Sequence, residues 1–238
     1  MSSLYLIRHG QAGLRHAYDT LSDLGRSQAR LLGEYLARQG VQFRAVYSGR
    51  LNRQHETARE VTSAMARAGS GAPEIEIDPR WNEFDLDAVF QSIAPRLACD
   101  DPVFCAEHEK LTSMLADDTS TVHRSWTMAD TLVVRAWVEA RYEVPCESWA
   151  AFRERVIGSL ETLNRFGSGE SVAVFSSATP IALWVGMALG LNGRHVMRLA
   201  GVTYNAALTT MRVRQDDLAL YSFNGTPHLA EPHLRTFR

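Results

Sequence analysis

The chain has 238 residues, 45% hydrophobic and 22% charged, which excludes a disordered or fibrous protein and allows a substantial core. Its 25 Lys and Arg residues against 27 Asp and Glu leave a net charge of −2, which excludes the broad positive field of a general nucleic-acid or anionic-membrane binder. Lys110 is the single lysine, so nothing supplies the phosphate-binding lysine of a P-loop. Cys99, Cys105 and Cys146 are odd in number and lack CxxC spacing, which fits neither a disulfide framework nor a zinc site. The N-terminal apolar run is too short for a signal peptide, and no stretch approaches the roughly 20 apolar residues of a membrane span. The expectation is a cytoplasmic, reduced protein.

In chain order, Leu4 to Ile7 is a buried-strand pattern that stops at Arg8-His9-Gly10. Ser22 reads as a helix N-cap ahead of Leu24, Leu31, Leu32, Tyr35 and Leu36 at helical spacing, with Gly40 as the stop. Ala45 to Ser48 is a second short strand, followed by a helix to about Ala68, and Ile75 to Ile77 reads as a third, brief strand. From about residue 85 to about 165 the pattern is helical, with helices expected over Val103 to Leu115, Ala129 to Tyr142 and Trp149 to Asn164. Val172 to Phe175 returns to a strand, and a helix is expected to open with Thr179 as N-cap and Pro180 as its first residue. Strands over about Ala207 to Val213 and Leu218 to Phe223, joined by a turn at Gln215-Asp216-Asp217, close the sheet. The expected architecture is one α/β/α domain over 1–238, with a mostly parallel sheet and a helical insertion serving as a lid.

Open α/β sheets bind ligands beyond the carboxyl ends of their strands. Arg8-His9-Gly10, the segment Ser48 to Arg53 and Ser176-Ser177 hold those positions, with Arg80-Trp81-Asn82-Glu83 leading into the insertion. Arg8 and Arg53 offer two guanidinium forks for one phosphoryl group, and Gly10 lets an oxyanion approach the backbone. His9 can attack phosphorus only when unprotonated, a state two neighbouring arginines favour. Glu83 then serves as general acid toward the leaving oxygen and as base toward water. Taken singly, each of these residues is as readily structural; their joint placement carries the reading.

Leu6-Ile7-Arg8-His9-Gly10-Gln11-Ala12 resembles the opening signature of the histidine phosphatase superfamily, which includes the cofactor-dependent phosphoglycerate mutases. The resemblance continues through Leu21 to Ala29, Tyr47-Ser48-Gly49 to Arg53, Glu56-Thr57-Ala58, Asn82 to Asp85, Tyr204-Asn205-Ala206 and Phe223 to Leu229. It implies a phosphohistidine on His9, with Arg8 and Arg53 as phosphate clamps, Glu83 as proton donor, and neither metal nor cofactor. Gln11 joins the phosphate-holding set. The implied activity is hydrolysis of a small phosphorylated metabolite; nucleic acid and membrane are not expected partners.

One departure limits the resemblance. The family carries a second histidine followed by glycine after the strand corresponding to Val172–Phe175, where this chain has Ser177 and Ala178. A neutral hydroxyl donates one hydrogen bond and carries no charge, so the pocket loses electrostatic stabilisation. Ser176 or Ser177 at a helix start could hold a phosphate oxygen, or both could simply cap the strand-to-helix turn. Two outcomes stay open: a phosphatase with an altered pocket, or a phospho-ligand-binding relative with little turnover. A mutase-type phosphotransferase is less well matched, because Ala12 to His16 lacks the asparagine the mutases share. A serine hydrolase is matched worse still: Phe175 and Thr179 stand where a nucleophile elbow has glycines.

Elsewhere, His228 is expected to close the C-terminal turn as readily as to touch substrate, and Arg15 and His16 to be surface loop residues. Trp126, Trp137 and Trp149 are expected to anchor the insertion helices to one another.

Overall fold

Every backbone polar group of a buried apolar run must find a partner, and the sheet supplies them. The computed structural model describes residues 2–117, 120–214 and 217–237. Its strands are β1 (Ser2–Arg8), β2 (Ala45–Ser48), β3 (Ile75–Ile77), β4 (Ser171–Ser176), β5 (Leu208–Arg214) and β6 (Asp217–Gly225). Its helices are α1 (Asp23–Arg38), α2 (Asn52–Arg67), α3 (Leu86–Asp100), α4 (Pro102–Leu115), α5 (Met128–Val138), α6 (Trp149–Ile157), α7 (Leu160–Leu163), α8 (Ala178–Leu189) and α9 (Gly193–Val202). The sheet order is β3-β2-β4-β1-β5-β6. The strands from β3 to β1 pair in parallel, while β5 and β6 are antiparallel, so the fold is α/β with a mixed sheet.

The chain forms two compact units. The first, up to Gly13 with Tyr18–Glu83 and Arg155–Phe237, holds the sheet. Its α1 begins where expected: Ser22 accepts from the Gly25 N–H, and Gly40, at φ 67°, follows the last turn. Ala29, Leu32 and Leu36 of α1 and Ala58, Val61 and Met65 of α2 pack with Ile7, Val46, Ala173 and Phe175 on one sheet face. The alternate strand residues, Leu6, Val172 and Val174, point to the opposite face and are also fully or nearly fully buried. Both faces are thus covered, which is why β1 and β4 read as continuous apolar runs.

Register sets up the site. Arg8 lies beside Ser176 across the β1–β4 pair, and Ser48 beside Phe175 across β2–β4. The residues leaving β1, β2 and β4 therefore emerge side by side.

The second unit comprises Leu14–Ala17 and Phe84–Glu154. Trp137, Trp149, Phe84 and Phe152 form its aromatic core, with ring centroids 4.7 to 5.8 Å apart. Trp126 departs from expectation: it is 47% exposed and donates to Thr131 instead of anchoring a helix. Arg15 is likewise more than a surface loop residue, since it grips the fully buried Asp130 through both guanidinium ends at 3.2 and 2.5 Å. Asp130 also completes a capping box with Thr127 at the start of α5.

Several boundaries differ from the sequence reading. Helix α5 stops at Val138, four residues early, because Ala140 turns into the left-handed region at φ 50°. The helix expected over 149–164 breaks into α6 and α7 where the Ser159 hydroxyl bonds back to the Val156 carbonyl and Arg80 takes the Gly158 carbonyl. Helix α3 falls in the stretch read as helical from about residue 85, though with no bounds of its own, and α9 is not among the expected elements. The first is capped by Asp85 and carries Pro95 within it, and the second is capped by Asn192. Gln215 and Asp216 of the expected turn lie outside the described residues, and Asp217 already belongs to β6. Among the described residues no helix is long and apolar enough to cross a membrane.

Candidate active site

The nucleophile candidate sits on a loop that the rest of the first unit ties down. The Gly10 N–H donates to Thr57 Oγ1 (3.0 Å) and the Gln11 N–H to Gln28 Oε1 (2.8 Å), while the His9 carbonyl accepts from the Ala206 N–H (3.1 Å) and Asn205 Nδ2 (3.3 Å). Thr57 and Asn205 lie in motif blocks that gave them no role; the structure gives each one in bracing this loop. A Cβ on Gly10 would lie 2.4 Å from the Gly25 carbonyl oxygen, and one on Gly25 2.2 Å from the Gln11 carbonyl oxygen, so loop and α1 meet backbone to backbone.

His9 is 1% exposed, and its Nδ1 lies 2.7 Å from the Gly10 carbonyl oxygen. A carbonyl can only accept, so Nδ1 carries the proton and the lone pair is left on Nε2. Burial, then the Arg53 and Arg8 charges, hold the imidazole well below its ordinary pKa. The ring is therefore neutral at pH 7.

Arg8 and Arg53 are both nearly buried. Burial lowers the Arg8 pKa, while Tyr18 and Glu83 favour its charge; a guanidinium nonetheless stays protonated. Arg8 Nη1 donates to the Thr203 carbonyl. Arg53 Nη1 donates to Asp19 (3.0 Å), whose carboxylate also takes the Asn52 N–H at the start of α2, and the Tyr18 ring lies 4.7 Å from the Arg53 guanidinium carbon. Among the described residues, the Nε of each arginine is buried with no hydrogen-bond partner. Two cationic donors without acceptors mark a place where an anion is wanted.

Glu83 accepts from the Thr179 N–H at 3.1 Å through Oε2. The loop before it is fixed by Arg155, which donates to the carbonyls of Pro79, Arg80 and Asn82, and by the Trp81 ring stacked 5.4 Å from Trp184. Ser177, and not Thr179, is the N-cap residue of α8. The expected cap falls two residues late because Ala178 and Thr179 already have helical backbone ahead of Pro180. The Ser177 hydroxyl makes no capping bond; it accepts from Gln54 Nε2 at 2.8 Å. Ser176 instead donates to the Trp81 carbonyl (2.6 Å) and is committed to the fold. Gln11 shares the His9 loop, but its Oε1 takes the Ser22 hydroxyl, which leaves its amide nitrogen as the end suited to an anion.

The first unit thus brings Arg8 into electrostatic range of His9, Arg53 and Glu83, and His9 into range of both arginines, with Ser177 one residue beyond β4. Sequence reasoning missed Tyr18, Asp19 and Gln54. Each acts through a partner dozens of positions away, which no local pattern announces. His228 does not join the group. It is buried beside Tyr35, with ring centroids 6.2 Å apart, and among the described residues neither ring nitrogen has a partner at hydrogen-bonding geometry. Burial pushes its pKa down to about 4, with the Ala206 backbone opposing only weakly.

That shift has a signed consequence. Between pH 6.5 and about 4 the unfolded chain binds a proton at His228 that the folded chain refuses, so stability falls as the pH is lowered through that window. The loss reaches about 3 kcal/mol at its acid end. Urea unfolding between pH 7 and 4 should show a shallower decline for His228→Leu than for the wild type. The remaining slope belongs in part to His9, which shifts in the same sense. An unchanged slope would show that His228 is protonated equally in both states.

The family model for the histidine phosphatase superfamily (branch 1) matches residues 4–94 and 116–226. Among curated proteins, the mitochondrial serine/threonine-protein phosphatase Pgam5 of Caenorhabditis briggsae is 30% identical over 106 residues, 40% of this chain and 37% of that protein; the Caenorhabditis elegans protein is 31% identical over the same extent. The chain therefore spans little more than a third of the length of these relatives. Among solved structures, YhfR of Bacillus stearothermophilus superposes with a TM-score of 0.66 at 17% identity, covering 96% of this chain and all of that one. The mycobacterial glucosyl-3-phosphoglycerate phosphatase gives 0.59 at 20% identity, covering 94% and 99% of the two chains. At these identities the structures speak to the fold, whereas the family model spans most of the sequence with the Arg8-His9-Gly10 loop inside it. The chain belongs to the histidine phosphatase superfamily, branch 1.

Proposed function

We propose that the protein hydrolyses a small phosphomonoester through a phosphohistidine on His9. One observation carries the reading: the Nδ1 bond to Gly10 and the burial of the ring beside two guanidinium groups leave a neutral imidazole with its lone pair on Nε2. In the first step Nε2 bonds to phosphorus, the P–O ester bond breaks, and the Glu83 carboxyl gives its proton to the leaving oxygen. In the second, water bonds to phosphorus, Glu83 takes its proton, and the P–N bond breaks to release inorganic phosphate. Arg8, Arg53 and the amide end of Gln11 hold the phosphoryl oxygens, and Ser177 donates to one of them. The relatives named as phosphatases support this chemistry. The three cysteines, all unpaired, fit a reducing cytoplasmic setting.

The test is to quench the protein in alkali during turnover of a phosphorus-labelled aryl phosphate. A phosphoryl label that survives alkali and is lost in acid is expected, as for a P–N bond. Bound phosphate with neither label nor turnover would instead support a phospho-ligand-binding protein, the reading that the neutral hydroxyl at Ser177 favours.

A further inference from the structure

Gln54 lies next to Arg53 in the first turn of α2 and is fully buried. Its Nε2 donates to the Trp81 carbonyl (3.2 Å) and to Ser177 Oγ (2.8 Å). The orientation of this amide is not arbitrary: turned over, its oxygen would face the Trp81 carbonyl, acceptor against acceptor. Nε2 must therefore point at both partners, and Ser177 receives a hydrogen bond through a lone pair. A hydroxyl that accepts in this way keeps its own proton to give elsewhere.

We propose that Gln54 is a positioning residue that sets the Ser177 hydroxyl as donor to the phosphoryl group in transfer, where the family carries a histidine. The proposal rests on the phosphoryl-transfer reading above. Two further features fit it. The Trp81 carbonyl also takes the Ser176 hydroxyl, so one buried amide links α2, the loop ahead of Glu83 and the β4–α8 turn. And, among the described residues, Gln54 Oε1 is buried with no hydrogen-bond partner, held where a Cβ on Gly49 would lie 2.0 Å away. An unsatisfied buried acceptor costs stability.

Orthovanadate, which mimics phosphorus in flight, provides the test. Its binding is measured by calorimetry on the whole chain for the wild type, Gln54→Met, Gln54→Glu, Ser177→Ala and the double variant Gln54→Met/Ser177→Ala, alongside kcat and KM for an aryl phosphate and the Tm. Ser177→Ala and Gln54→Met should each lower orthovanadate affinity and kcat about 10-fold or more, with KM nearly unchanged, because the bond matters in the transition state. The double variant should bind orthovanadate no worse than Ser177→Ala, since the effect of Gln54 on the phosphoryl group runs through the Ser177 hydroxyl. Gln54→Glu should fall at least as far as Gln54→Met, because a carboxylate would take the hydroxyl's proton for itself. Gly49→Ala, which displaces the amide without altering it, should reproduce the loss. Additive losses in the double variant, or a lowered Tm with orthovanadate affinity intact, would reduce Gln54 to a packing residue. The binding ratios need no turnover, so they judge Gln54 separately from the phosphohistidine. Wild-type protein that binds no orthovanadate would overturn both.

Discussion

His9→Ala is expected to lower kcat for an aryl phosphate by roughly 10⁴-fold or more while leaving phosphate binding nearly intact. That factor corresponds to about 5.5 kcal/mol of transition-state stabilisation. The two effects separate because the ring and the clamps do different things. In the proposed mechanism Arg8 and Arg53 hold the anion by charge, whereas His9, neutral at pH 7, supplies an electron pair. Removing it leaves water to attack phosphorus without a covalent partner. The fold should survive, since among the described residues the side chain makes one neutral hydrogen bond, to Gly10, worth about 1 kcal/mol, and the cavity left by the buried ring adds to that loss. Steady-state turnover and phosphate titration on the same preparation check both halves. Hydrolysis that persists unchanged would remove His9 from the chemistry altogether.

Glu83→Gln should slow hydrolysis by about 10² to 10⁴-fold for alkyl phosphates and far less for 4-nitrophenyl phosphate in the first step. The amide is nearly isosteric and its oxygen can keep the Thr179 N–H bond, so the loop should stay in place. What disappears is the proton. An alkoxide leaving group is a strong base and cannot depart unprotonated at a useful rate, while a nitrophenolate can. The signature is therefore a dependence of kcat/KM on leaving-group pKa that is steeper in the variant than in the wild type. Parallel dependences would show that Glu83 does not protonate the leaving oxygen.

The parts of this site that the sequence announces are those governed by local rules. A buried run ending in Arg8-His9-Gly10 places three residues at a strand end, and Ser22 ahead of a helical pattern declares a cap; both follow from nearest-neighbour chemistry. The parts it hides depend on distant partners. Gln54 meets Ser177 across 123 positions, and Asp19 reaches the start of α2 across 33. Helix α3 was obscured by Pro95, whose lost N–H the fold tolerates within a helix. The cap of α8 falls two residues before the expected one because Pro180 suits the first helical position and so points to Thr179, whereas the end of β4 sets the cap at Ser177. The pairing of Arg15 is hidden in the same way, since its partner Asp130 lies 115 positions on.

The contact of Gly10 with Gly25 bears on how little the molecule must rearrange during a catalytic cycle. With no side-chain cushion between the His9 loop and α1, the proposed attacking atom is mounted on two elements at once, a strand and a helix end. That mounting should restrict its play to the small amplitude of the main chain itself. A bulkier residue at either position would spread the imidazole over several placements, and most molecules would then wait for a productive one.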